Sequence, residues 1–307
     1  MDGDGRRRVR WTAAILGASA FFALASVATA RLSGESGSTD IAPGDNGTAS
    51  AKCGSGSTAV AGGFSAPGFD PTADTGPANL TFASVLKGDR RWKVSGHNFN
   101  NPEPAAKATP GSGPLVAHVY CDKHDPGVTV ESKSTTVDPG EHATLTSKCQ
   151  GGREAVSGGH TSDPADPRGF TAYANASRRT GDQGWKVTFQ NPDPQNAHDV
   201  TAFAYCEKNA PKLVQARGSD DVAPVENTAT ATAKCPKGTE IFSGGYKSTF
   251  TESGGAVGYA LPFSSDRAKG DKWKVSAIGI TVSTAPAALR RGTTTGIRET
   301  AIAYCTT

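Results

Sequence analysis

The stretch CPKGTEIFSGGY at 235–246 decides the fold, because the chain writes it three times. The same frame reads CGSGSTAVAGGF at 53–64 and CQGGREAVSGGH at 149–160. In each copy a glycine pair stands nine and ten residues after the cysteine: Gly62-Gly63, Gly158-Gly159 and Gly244-Gly245. An aromatic residue or His follows (Phe64, His160, Tyr246). Each copy then carries Trp-Lys-Val (Trp92-Lys93-Val94, Trp185-Lys186-Val187, Trp273-Lys274-Val275) and ends in Tyr-Cys (Tyr120-Cys121, Tyr205-Cys206, Tyr304-Cys305). A repeat fixes the unit that must fold, so it outweighs local propensity. The pitch is 96 residues from Cys53 to Cys149 and 86 from Cys149 to Cys235. Three modules follow, at 31–124, 125–209 and 210–307.

Outward from that frame, the pattern is β. His142 to Lys148 and Thr228 to Lys234 alternate with period two, as half-buried strands do. Gly- or Pro-rich turns at 54–57, 150–153 and 236–239 lead into Ala59-Val60-Ala61, Ala155-Val156-Ser157 and Ile241-Phe242-Ser243, which predicts a hairpin. The glycine pair falls inside or just after the second strand of that hairpin, where it marks a bulge or a close backbone approach. Trp-Lys-Val places Trp and Val on one face and Lys on the other. The segments Phe69–Ala78, Asn100–Pro114 and Thr161–Arg168 diverge between copies and read as loops. The expected fold is all-β: three tandem, disulfide-pinned, sandwich- or barrel-like modules.

Residues 1–30 read as a signal peptide. Arg6, Arg7, Arg8 and Arg10 precede an apolar run from Trp11 to Ala30 that ends in Ala28-Thr29-Ala30, a small-residue cleavage pattern. An uncleaved anchor is the alternative, because the run is nearly long enough to span a bilayer. The start of the repeat register almost directly afterwards favours cleavage. Nothing after residue 30 is long and apolar enough to span a membrane. The chain carries a formal charge of +3. Four Arg and two Asp leave with the signal, so the remainder is near +1. That near-neutral balance argues against nucleic acid as a partner.

Six cysteines, two per module, in an exported chain imply disulfides. Repeat symmetry favours Cys53–Cys121, Cys149–Cys206 and Cys235–Cys305. A rival set joins Cys121–Cys149 and Cys206–Cys235 and closes with Cys53–Cys305. Under the first set each bridge contributes about 4 kcal/mol by the chain-entropy estimate, enough to decide whether a small module folds. Zinc is the competing use of paired cysteines, and the finger-type Cys/His spacing is missing.

The core at Cys235-Pro236-Lys237-Gly238 with Gly244-Gly245, its Trp-x-Val strand and its Ala303-Tyr304-Cys305 ending resemble a repeat of many uncharacterised exported bacterial proteins. The resemblance covers nearly all of the chain after residue 30, and its motifs are structural. Gly54 and Gln150 depart from it, standing where the pattern has Pro. A fainter similarity is to the eggshell vitelline-membrane outer-layer proteins, which carry shorter Cys-Pro-x-Gly units in threefold form as a β-prism. It serves as an analogy of architecture.

Chemistry is sparse. Trp92, Trp185 and Trp273 read either as core aromatics or as platforms for stacking sugars. The six histidines (His97, His118, His124, His142, His160, His198) do not recur at equivalent positions. Ser, His and Asp are abundant, but no Gly-x-Ser-x-Gly elbow frames a triad. Asp163, Asp166 and Asp193 offer oxygen ligands without a calcium-loop pattern. No catalytic residue, metal or cofactor is therefore assigned. The sequence points to a secreted or cell-surface, non-enzymatic protein that presents variable loops to envelope polysaccharide or to another protein. A structural matrix component and, more remotely, a secreted hydrolase are the alternatives.

Overall fold

A computed structural model of the protein describes residues 32–67, 78–99, 111–222, 228–253, 256–283, 289–290 and 296–307. The expected signal at 1–30 and most of the loops at 69–78 and 100–114 lie outside the described residues.

Module one supplies β1 (Ser33–Ile41), β2 (Asn46–Lys52), β3 (Thr58–Ser65), β4 (Ala78–Lys87), β5 (Arg91–Phe99) and β6 (Gly113–Asp122). Module two repeats the set as β7 (Thr129–Val137), β8 (His142–Lys148), β9 (Glu154–Ser162), β10 (Tyr173–Thr180), β11 (Gly184–Gln190) and β12 (His198–Glu207). Module three adds β13 (Leu213–Asp221), β14 (Thr228–Lys234), β15 (Glu240–Ser248), β16 (Phe250–Ser253), β17 (Ala256–Ala268), β18 (Lys272–Ser283), β19 (Leu289–Arg290) and β20 (Arg298–Thr306). The fold is all-β, as the alternation predicts.

Each module splits its strands between two antiparallel sheets, and each sheet is shared by two modules. The orders are β1-β6-β3-β17-β18-β14, β2-β5-β4-β9-β12-β7 and β13-β20-β15-β10-β11-β8, with β16 beside β17 and β19 beside β18. The joins are always the same: the third strand of one module lies against the strand that leads into the Trp-bearing strand of another, β9 against β4, β15 against β10 and β3 against β17. Module two thus pairs with module one, three with two, and one with three. The modules close into a ring.

Within a module the two half-sheets form a sandwich, and the disulfide crosses it. Cys53–Cys121, Cys149–Cys206 and Cys235–Cys305 are the bridges formed, with Cα atoms 5.8, 5.7 and 5.8 Å apart. In each bridge the first cysteine lies just past the second strand and the other lies in the closing strand of the opposite sheet. The rival set does not occur. The hairpin expected after each first cysteine does not form either: β2 and β3, like β8 and β9 or β14 and β15, lie in different sheets. Their turns carry the chain across the sandwich rather than back along one sheet. The hairpins are instead β4–β5, β10–β11 and β17–β18.

The glycine pair has a double duty. A Cβ on Gly62, Gly158 or Gly244 would lie 2.1, 2.2 or 2.0 Å from the indole of Trp92, Trp185 or Trp273 in the same module. A Cβ on Gly63, Gly159 or Gly245 would lie 2.4, 2.3 or 2.3 Å from the carbonyl oxygen of Ser265, Ser84 or Ser177 in the neighbouring module. One glycine admits the core aromatic, and the next admits the adjoining strand. The bulge falls earlier, at Val60, Val156 and Phe242, where the register against the closing strand shifts.

Tyrosine closes each seam. The hydroxyls of Tyr120, Tyr205 and Tyr304 accept the backbone N–H of Arg267, Leu86 and Arg179 at 2.8, 2.8 and 2.7 Å. Their rings pack edge-on against Trp273, Trp92 and Trp185 of the neighbour, with centroids 5.7, 5.3 and 5.6 Å apart. Those indoles donate Nε1–H to Ser265, Ser84 and Ser177 at 3.0, 2.9 and 2.9 Å. Further inside, Ser157 donates to the carbonyl of Val60, and Ser243 to that of Val156 at 2.6 Å. Module one carries the hydroxyl-free Ala61 at the equivalent position.

Gly158→Ala is expected to lower stability by about 2–4 kcal/mol in urea denaturation, because the clash is with a fully packed indole. Gly54→Ala, with open space around it, is expected to change stability little. Ala61→Ser is expected to raise stability by about 1 kcal/mol, supplying the third donor of the set towards the carbonyl of Phe242. An unchanged or lowered denaturation midpoint for that variant would contradict the threefold geometry.

Candidate binding faces

Trp92, Trp185 and Trp273 are each 1% exposed, so none offers a ring face to a sugar. The reading of these residues as stacking platforms is corrected: they are core. Their place in the alternation is what matters. With Trp and Val turned inwards, the intervening Lys93, Lys186 and Lys274 must point outwards.

Those lysines belong to a constellation that recurs in all three modules. On the outer face of each three-stranded half-sheet, cross-strand registry sets out three rows. In module one they are Val85–Lys93–Ser50, Lys87–Arg91–Lys52 and Ala83–Ser95–Thr48. In module two they are Arg178–Lys186–Thr146, Thr180–Gly184–Lys148 and Ala176–Thr188–Thr144. In module three they are Asp266–Lys274–Thr232, Ala268–Lys272–Lys234 and Ser264–Ser276–Thr230. Every face has a central lysine, an exposed lysine just before the cysteine, and a hydroxyl beside the central lysine. The paired hydroxyls bond to each other at 2.9 Å (Thr48–Ser95), 3.1 Å (Thr144–Thr188) and 3.1 Å (Thr230–Ser276).

The charge on these faces is one-sided. The rows hold four, three and three cations, against Asp266 as the single carboxylate. Near-neutral net charge therefore hides a segregation, since acids such as Glu35, Glu131, Asp220 and Asp221 lie on the first strands of the modules. No ion pair engages Lys52, Lys93, Lys148, Lys186, Lys234 or Lys274 among the described residues. In module two a groove of about 770 Å³ lies along this face, between Thr146, Lys148 and Lys186 on one side and Thr180 to Gln183 on the other. A smaller one of about 370 Å³ occupies a corresponding corner of module three, beside Lys234, Lys237 and Asp271.

Other polar groups are absorbed by the fold. Asp193 accepts the backbone N–H of Gln195 and Asn196 and pairs with His198 at 3.2 Å. Asp166 caps Phe170 and pairs with Arg168 at 2.6 Å. Asp163 accepts the N–H of Asp199 at 2.9 Å. No cluster of three or more metal-ligating side chains forms among the described residues. His97 bonds Asn46, His124 bonds Asp122, and His160 is buried, its pKa pushed down to about 4 by desolvation. Ser65 and His118 are 2.9 Å apart, but Asp266 receives its hydrogen bond from Ser264 at 2.7 Å. Asp266 acts on His118 through its charge, and no hydrogen bond joins the two among the described residues.

No protein-family model and no curated protein matches this chain. The site therefore rests on the geometry of its own three copies.

Glu299 is fully buried beside Ser248, which donates a hydrogen bond to it, and desolvation pushes its pKa from 4.5 up to about 8. Glu207 is raised to about 8 mainly by burial and secondarily by Asp122. The folded state holds these protons while the unfolded chain releases them. The contribution of these two groups is therefore fully present below about pH 4.5 and is lost as pH rises towards 8. Glu299→Gln is expected to flatten that decline in chemical denaturation measured from pH 5 to 8.5. A decline as steep as that of the parent would contradict a buried, protonated Glu299.

Proposed function

We propose that the protein is a non-enzymatic binding protein of the cell exterior, and that its ligand is an envelope polysaccharide. Three disulfides suit an oxidising compartment, where such polymers are found. The observation that carries the reading is the threefold recurrence of outward lysines and hydroxyls. Folding explains the inward Trp, Val, Tyr and Gly, but it does not require a lysine and a hydroxyl at the same outer positions of every copy.

Edge protection accounts for part of the pattern. Lys52, Lys148 and Lys234 lie on β2, β8 and β14, the end strands of their sheets, where lysine deters pairing with another chain. Lys93, Lys186 and Lys274 lie on β5, β11 and β18, which have strand partners on both sides. Edge protection gives no reason for them. Hydroxyls and ammonium groups on a rigid face are donors suited to a glycan, and three faces held in fixed relation favour avidity.

Retention of the exported protein on a panel of immobilised neutral and anionic polysaccharides tests this reading. Binding to at least one class is expected, with a lower apparent affinity for short oligosaccharides than for polymer. Absence of retention on every polysaccharide at high protein concentration would remove the reading. Concentration-dependent self-association together with that absence would favour a structural matrix role.

A further inference from the structure

We infer that the ligand of these faces is an anionic glycan, and that Arg178, Lys186 and Lys148 of module two hold one of its sulfate, phosphate or carboxylate groups. The inference rests on the polysaccharide reading above and narrows it to a chemistry and a place. Arg178 and Lys186 are direct cross-strand partners on one face. Like charges so placed destabilise a sheet unless something compensates them.

Nothing in the described protein does so. The Nε of Arg178 is buried without a hydrogen-bond partner, and no ion pair engages the residue. The nearby acids are already taken. Arg179 binds Glu154 at 2.9 Å and lies 3.4 Å from Asp182, while its Nε donates to the carbonyl of Ala155 at 2.7 Å. Both carboxylates of the groove thus pair with Arg179, and no ion pair joins them to Lys186, to Lys148 or to Arg178, which stands beside the groove, among the described residues. Thr146 and Thr180 add hydroxyls from either side of the groove.

The other modules show that the scaffold does not need this arrangement. The position of Arg178 is Val85 in module one and Asp266 in module three, where the acid faces Lys274. Like-charge neighbours nevertheless recur on those faces: Arg91 lies between Lys87 and Lys52, and Lys272 faces Lys234. Repulsion kept in all three copies fits surfaces that meet a polyanion. A glycan suits these faces better than a nucleic acid, because single-stranded nucleic acids are gripped by exposed aromatic platforms, and Trp92, Trp185 and Trp273 are buried.

The test is titration of the exported protein with dextran sulfate, polygalacturonate, neutral dextran and a single-stranded oligonucleotide of matched charge. Binding to one or both anionic glycans is expected, weakening as NaCl rises, with neutral dextran unbound. The double variant Arg178→Val, Lys186→Ser takes its valine from the equivalent position of module one and replaces the central lysine by a neutral hydroxyl residue, and its fold is checked by circular dichroism. It is expected to lose about tenfold in affinity, whereas Arg217→Gln, on exposed β13, keeps the parental value. Neutral dextran bound as tightly as dextran sulfate would overturn the anionic inference and leave the polysaccharide reading standing. Unchanged affinity in the double variant would overturn the placement, and equal affinity for the oligonucleotide would overturn the glycan. Failure of every polysaccharide to bind would remove both readings together.

Discussion

The absence of two side chains, one after the other, is the constraint on which this architecture depends. At Gly62-Gly63, Gly158-Gly159 and Gly244-Gly245 the strand is squeezed on both faces, by an indole from its own module and by a carbonyl from the next. A side chain on the first residue would displace the tryptophan that fills the core. One on the second would push away the neighbouring strand. Because the two contacts come from different modules, folding a module and joining it to its neighbour are governed at the same place.

Closure of the ring follows from that contact. Among the described residues each seam has two residue pairs of strand registry, such as Ser65 with Ser264 and Phe64 with Ser265. So short a ladder would be weak alone. It is reinforced by the tyrosine that accepts a backbone N–H across the seam and packs against the neighbour's indole. The disulfide then fixes the closing strand, which carries that tyrosine, to the opposite sheet. Tyr and Cys adjoin in the sequence because one secures the module and the other secures the ring.

Much of this was legible in the residues. The inward Trp and Val, the cystine pairing and the close approach at the glycines all follow from repetition and period two. Two features were not. The exchange of strands between modules has no local signature, since a two-residue seam leaves no pattern, and a cysteine followed by a turn looks like a hairpin when read alone. The central lysines were placed opposite Trp and Val, but the cations beside them were only counted: net charge near zero does not reveal that they gather on these outer faces. Ser84, Ser177 and Ser265 were obscured differently. They lie eight residues before the tryptophan in every copy, a fixed offset that does carry a signal, but one that gives no hint of a bond to the indole until the hairpin is seen.

A framework this tightly shared leaves the outer faces free to differ, and Val85, Arg178 and Asp266 show that they have. Whether the framework is truly shared is tested most directly by differential scanning calorimetry of the exported protein with its disulfides intact. Three modules interlocked through β3–β17, β9–β4 and β15–β10 should melt in one transition, with calorimetric and van't Hoff enthalpies equal. Separate transitions, or a calorimetric enthalpy several times the van't Hoff value, would show modules that fold independently and would contradict the closed ring.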